Sequence, residues 1–195
     1  MLIFVCKQEI AGSAKVKQQV LNRTPQSAST LQSDKRKSNS MDKRVDKMKK
    51  ARQSLLDQII ELSSEQLNQI PIGFNNNIIW NITHLIAAQQ GICYLRAGQQ
   101  TIVVDKFIKP FFTNSKPERI IDASEIQEIK KLFISTMDQL QSDYDKSIFG
   151  NYTPSPNILK VYGIELKDID DALEFLLYHE GYHSGCILAL KKLVS

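Results

Sequence analysis

The sequence predicts an all-α protein, a four-helix bundle with long crossover connections. Three observations lead there. Four stretches repeat apolar residues at threes and fours, long proline-bearing connections separate them, and no internal repeat, glycine-rich phosphate loop or strand–helix alternation intervenes. At 195 residues the chain suits one domain plus a tail, with a core that needs no disulfide.

The tail comes first. Met1 to Cys6 is apolar, but it lacks a basic leading region and is too short for the core of a signal peptide. From about Ala11 to Ser40 the composition is too polar to offset its own ordering entropy, so residues 1–40 are expected to form a disordered basic tail and 41–195 the bundle domain. Charge follows the same division. Residues 1–40 hold seven basic groups against Glu9 and Asp34, a net +5, which leaves −1 for the rest of a +4 chain. A near-neutral body offers no broad footprint for a phosphate backbone, and nucleic-acid binding is excluded from the expected functions.

Four helices follow. Asp42 is a candidate N-cap for the first, with Val45, Met48, Leu55, Ile59 and Leu62 on one face. Ser63 to Gln66 reads as a capping box opening a short turn that Pro71 ends. Asn75 to Asn77 offer caps for a second helix over roughly 77–97, apolar almost all round and stopped by Gly98, as an interior helix should be. Residues 99–122 form a long connection broken by Pro110 and Pro117, with a short extended piece at Thr101 to Val104. Ser124 and Gln127 suggest the capping box of a third helix carrying Ile126, Ile129, Phe133, Met137, Leu140 and Tyr144. Asn151 to Asn157, with Pro154 and Pro156, reads as loop, and Asp168 opens a fourth helix running to about Leu193, with Asp170 and Asp171 complementing its dipole.

The chain has three histidines. His179 and His183 stand four apart on the fourth helix, on the stripe of Ala172, Leu176, Ile187 and Leu190, so both imidazoles point inward a turn apart. His84 lies in the buried second helix, a turn after Trp80 and followed by Ala87, Ala88 and Gly91, small residues that allow another helix to approach. A lone inward histidine is more often a hydrogen-bonded core residue. Three of them, two at ligand spacing, favour a shared metal ion, because unpartnered burial costs a few kcal/mol for each ring.

His179-Glu180-Gly181-Tyr182-His183 also fits the zinc-protease pattern H-E-x-x-H. The downstream third ligand of such enzymes is missing: Cys186 and Ala189 stand where one class needs glycine and histidine, and the chain given ends at Ser195 before another's glutamate. Any third ligand therefore comes from upstream.

Asn77-Ile78-Ile79-Trp80-Asn81-Ile82-Thr83-His84, followed about a hundred residues later by His179, His183 and Gly185, resembles the DinB-like (YfiT-related) superfamily over roughly 41–195. The resemblance implies an up-down-down-up four-helix bundle, often a homodimer, whose second helix supplies one metal-binding histidine and whose fourth supplies two. His84, His179 and His183 match those positions. Relatives include thiol-dependent S-transferases, a mycothiol-dependent isomerase and proteins regarded as metal-dependent hydrolases. Where the family often has glutamine after the glycine, this chain has Cys186.

The expectation is thus a three-histidine site for a divalent ion, zinc, nickel or iron, with open positions at which water or a thiol is activated. Glu180 is a candidate general base, although its helical phase also suits solvent. Trp80 and Tyr182 are candidate pocket walls, and Cys186 is either a fourth ligand or a small buried residue. The substrate is expected to be a small molecule, with a low-molecular-weight thiol as co-substrate. The alternative is a non-catalytic metal-binding bundle acting as a stress-response or interaction module. Three scattered cysteines and no apolar run near the roughly 18 residues of a membrane span point to a soluble cytoplasmic protein.

Overall fold

A computed structural model describes residues 41–195, and the expectation for residues 1–40 lies outside them. The described chain is all-α, with no strand. Helix α1 is Lys43–Gln58, α2 Ser64–Asn68, α3 Ile78–Gln89, α4 Ala123–Asp145, α5 Pro156–Tyr162 and α6 Ile169–Val194. The four longest helices make their main contacts in a ring, α1 against α4 and α6, and α3 against the same two.

Short polar side chains at the expected places start these helices. Asp42 accepts from the Arg44 amide at 2.8 Å, Ser63 and Gln66 form a reciprocal capping box, Asn77 accepts from the Trp80 amide at 2.8 Å, and Asp168 from the Asp171 amide at 2.9 Å. Arg44 then ties two of the starts together, reaching Asp42 and, at 2.5 Å, Asp170.

Every residue of α3 is buried, as its all-round apolar character requires. Beyond Gln89 it widens into a π turn over Gln90–Tyr94, tightens into a 3-10 turn over Leu95–Ala97, and stops at Gly98, whose φ of 70° suits a residue without a Cβ.

The core has two main apolar parts. One gathers Leu55, Ile82, Leu85, Ile86, Phe107, Ile129, Phe133 and Ile187; the other gathers Val45, Met48, Cys93, Tyr94, Met137, Leu140, Leu173 and Leu176. A buried polar layer sits between them in sequence on all four helices: Arg52 on α1, Gln89 on α3, Thr136 on α4 and Glu180 on α6.

Four expectations need correction. Thr101 to Val104 bends instead of extending into a strand, and the rest of that connection coils into two 3-10 turns, Asp105–Phe107 and Lys109–Phe111, which bury Phe107, Ile108 and Phe111. The cap of α4 is Asp122, accepting from the Glu125 amide at 2.8 Å, two residues before the expected Ser124. The stretch taken as loop at Pro156 begins a helix, because proline at the first helical position loses no hydrogen bond there, and Ser155 caps it. The small residue Gly91 admits the ring of Phe112 from the 99–122 connection, and a Cβ there would stand 3.3 Å from it. Among the described residues no helix is long and apolar enough to cross a membrane.

The reassigned cap gives a direct check. Asp122→Ala should lower the free energy of unfolding by about 1 kcal/mol, and Ser124→Ala should leave it within about 0.5 kcal/mol, both read from urea unfolding. A larger effect at Ser124 would restore the original cap.

Candidate metal centre

Helices α3 and α6 pack directly together, and their facing sides carry the three histidines. His84, His179 and His183 are 5, 7 and 9 % exposed. One ring nitrogen from each lies within 4.8 Å of the other two, and the ring centroids stand 4.5 to 5.2 Å apart. The sequence expectation that these rings converge is met.

Hydrogen bonds fix two of the tautomers. His84 Nδ1 lies 2.6 Å from the Phe111 carbonyl, which can only accept, so Nδ1 carries the proton and Nε2 keeps its lone pair. His183 Nδ1 lies 2.9 Å from Asn81 Oδ1. The Asn81 amide cannot turn over, because its nitrogen donates to the Asn77 carbonyl at 2.7 Å; His183 therefore also donates from Nδ1 and keeps a lone pair on Nε2.

His179 cannot be satisfied within this group by either neutral form. Its Nε2 stands 3.4 Å from His84 Nε2, and its Nδ1 is buried without a partner. With the proton on Nδ1, a buried donor is orphaned and two lone pairs face each other; with the proton on Nε2, a buried acceptor is orphaned instead. A cation among the rings removes the lone-pair conflict. Two nitrogens at tetrahedral angles and ordinary zinc distances lie about 3.3 Å apart, close to the observed 3.4 Å. The donor set therefore fits a divalent ion.

All three imidazoles are held neutral, the form that binds metal. Burial lowers the His84 pKa against the opposing Phe111 hydrogen bond. Burial, with His84 and Arg52 adding to it, depresses His179 to about 3, and burial with the two neighbouring histidines depresses His183 further still.

Each ring is backed by an aromatic. Trp80 stacks on His84 at 4.9 Å with 6° between planes, Phe175 lies 5.9 Å from His179, and the half-buried Tyr182 meets His183 edge-on at 5.1 Å. Trp80 and Phe111 also wall a cavity of about 280 Å³. Cys186 is buried a turn past His183, and its sulfur is not within the nitrogen group.

Glu180, the candidate base, does not reach solvent. Its Oε1 accepts from Arg52 Nε at 3.0 Å and from Arg52 Nη2 at 2.5 Å, with both side chains almost fully buried. Burial raises its carboxyl pKa while the guanidinium pulls it back.

Sequence reasoning passed over Arg52, Asn81, Phe111 and Phe175. Arg52 had a signal: it fills the empty helical position between Met48 and Leu55, a charge on an apolar stripe. Asn81 had a weaker one, a polar residue in a helix apolar all round. Phe111 acts through a main-chain carbonyl, which leaves no mark on residue type.

A family model described as the DinB superfamily matches residues 47–187. A search of curated proteins found no match.

Acidification checks the electrostatics. The histidine pKa values are lowered from 6.5, so the unfolded chain binds more protons than the folded one. The stability this provides is present above pH 6.5 and is lost as pH falls toward the folded values. Glu180 acts with the opposite sign, one carboxyl against three imidazoles. With chelator present, the urea midpoint should fall between about pH 6.5 and 5, as the free energy of unfolding drops by up to about 1.4 kcal/mol per pH unit for each histidine. A flat or rising midpoint over that window would contradict neutral buried rings.

Proposed function

Because the chain belongs to the DinB superfamily, we propose that it is a metal-dependent enzyme of hydrolase or thiol S-transferase type, with a divalent ion held by His84, His179 and His183. The single observation that carries this reading is the hydrogen bonding of the ring edges. Phe111 and Asn81 accept from Nδ1 of His84 and His183, which keeps the lone pair of each ring on Nε2, and the Nε2 atoms of His84 and His179 stand 3.4 Å apart in a group that leaves His179 Nδ1 buried without a partner.

Three protein ligands leave coordination positions open, the pattern of a catalytic site more than of a structural one. A divalent ion so held supplies Lewis acidity, under which water or a thiol loses its proton near neutral pH. The chain's own residues do the rest. Phe111 and Asn81 orient two of the rings, and Trp80, Phe175 and Tyr182 restrict water around all three. Glu180 serves as the partner of Arg52 in this reading and not as the base, because its carboxylate is buried in an ion pair with the guanidinium. Zinc, nickel and iron all suit imidazole ligands.

The finer features implied by the resemblance go with the proposal: an up-down-down-up bundle, a homodimer, a small-molecule substrate with a low-molecular-weight thiol, and a cytoplasmic setting. A metal-stabilised module without turnover is the second reading. What favours it is the depth of the histidines, together with the lining of the neighbouring cavity, which includes Trp80 and Phe111 but none of the three histidines.

Protein purified without an affinity tag should contain near-stoichiometric zinc, nickel or iron by elemental analysis. Added metal should raise the thermal midpoint of chelated protein, because the ion cross-links α3 to α6. His84→Ala should abolish that rise, and should also lower metal-free stability by roughly 1–3 kcal/mol through the unpaired Phe111 carbonyl. Cys186→Ser should leave the metal response intact. Protein that neither contains nor takes up metal would sink the reading, and an unchanged response in His84→Ala would remove His84 from the site.

A further inference from the structure

We propose that Arg52 is the positioning residue of the histidine centre, its guanidinium setting the spacing of His84 and His179 by holding the residue that follows each. One nitrogen makes both attachments: Arg52 Nη2 donates to the Leu85 carbonyl at 3.3 Å and to Glu180 Oε1 at 2.5 Å. Leu85 follows His84 on α3, and Glu180 follows His179 on α6. Each attachment is therefore one residue along the chain from a ring whose Nε2 stands 3.4 Å from the other.

The anchor cannot turn. Arg52 Nε donates to Glu180 at 3.0 Å, and Nη1 donates to Gln89 Oε1 at 3.0 Å and to the Phe133 carbonyl at 2.9 Å, with Thr136 Oγ1 at 3.3 Å. The Phe133 ring lies 4.5 Å from the guanidinium carbon. Because Gln89 Nε2 donates to the Thr136 carbonyl at 2.9 Å and the Thr136 hydroxyl donates to Gln89 Oε1 at 3.0 Å, the acceptors are themselves fixed to α3 and α4. A sliding of α6 along α3 breaks the fork geometry at once, whereas apolar contacts between the same helices tolerate it.

Stability alone does not explain such a pair. A buried guanidinium and carboxylate can often be exchanged for packed hydrophobic residues without loss, so the pair is better explained by the register it imposes. A ligand group needs its members held to about 0.5 Å, and helix packing by itself is looser.

The proposal rests on the metal reading above for what the spacing serves, and the experiment separates the two. Arg52→Met alone strands a buried carboxylate, so the test uses Arg52→Met combined with Glu180→Leu, and separately Arg52→Lys, which keeps a charge beside Glu180 but has no planar fork. Cobalt(II) is the probe, followed by its visible absorption in full-length chelator-treated protein, alongside thermal melting. The double variant should melt with chelator at or above the wild-type midpoint, yet bind cobalt at least about tenfold more weakly. Arg52→Lys should also bind more weakly while remaining folded. Crystals of the double variant grown with chelator should show the two Nε2 atoms no longer held at the wild-type spacing. Unchanged cobalt affinity in either folded variant, or unchanged spacing in the crystals, overturns the role of Arg52. Wild-type protein that takes up no cobalt overturns the metal reading instead, and the metal-free spacing then decides Arg52 by itself.

Discussion

A guanidinium buried to 1 % exposure is tolerated only where its charge and all five N–H groups are answered. The ion pair of Arg52 with Glu180, and the acceptors ranged around it, meet that demand from α3, α4 and α6 at once. The two main apolar parts of the core lie to either side of it along the helices. A one-residue shift of any of these helices would leave several buried polar groups without partners, at about 1–3 kcal/mol each. The layer thus selects a single arrangement, which the apolar packing then stabilises.

The histidine cluster is a consequence of the same arrangement. His84 is brought opposite His179 and His183 by the packing of α3 on α6, but its ring is turned by a carbonyl from the connection between α3 and α4. That connection is long because it must coil back over α3, burying Phe107, Ile108 and Phe111 on the way. Asn81 performs the matching task for His183 from within α3, and is itself fixed by the Asn77 carbonyl at the helix start. The ring nitrogen left over, His179 Nδ1, is the one buried imidazole atom for which the fold supplies no partner.

Much of this was legible in the chain. Periodicity located the long helices because their faces are buried on one side or, for α3, on all sides, and caps such as Asp42, Asn77 and Asp168 marked their starts. The three histidines were legible because their spacing and inward phase are set by helical geometry alone. What escaped depends on tertiary contacts. Ser124 and Asp122 both have capping side chains, and only the packing of Ile126 and Ile129 decides which one lies at the boundary. Pro156 looks like a loop residue until Ser155 and Gly163 are seen to frame a short helix that packs Ile158 on Phe175. Glu180 was assigned to solvent or to catalysis because its partner, Arg52, is 128 positions away in sequence.

The claim at the centre of this account is that three imidazole nitrogens, and no sulfur, hold the metal with a position left open. X-ray absorption at the zinc edge of zinc-reconstituted protein addresses it directly. The account predicts a first shell of three nitrogen scatterers with imidazole outer-shell features and a further light atom, all at about 2.0–2.2 Å. A sulfur scatterer at about 2.3 Å, which would bring Cys186 into the shell, or a spectrum without imidazole features, would contradict it.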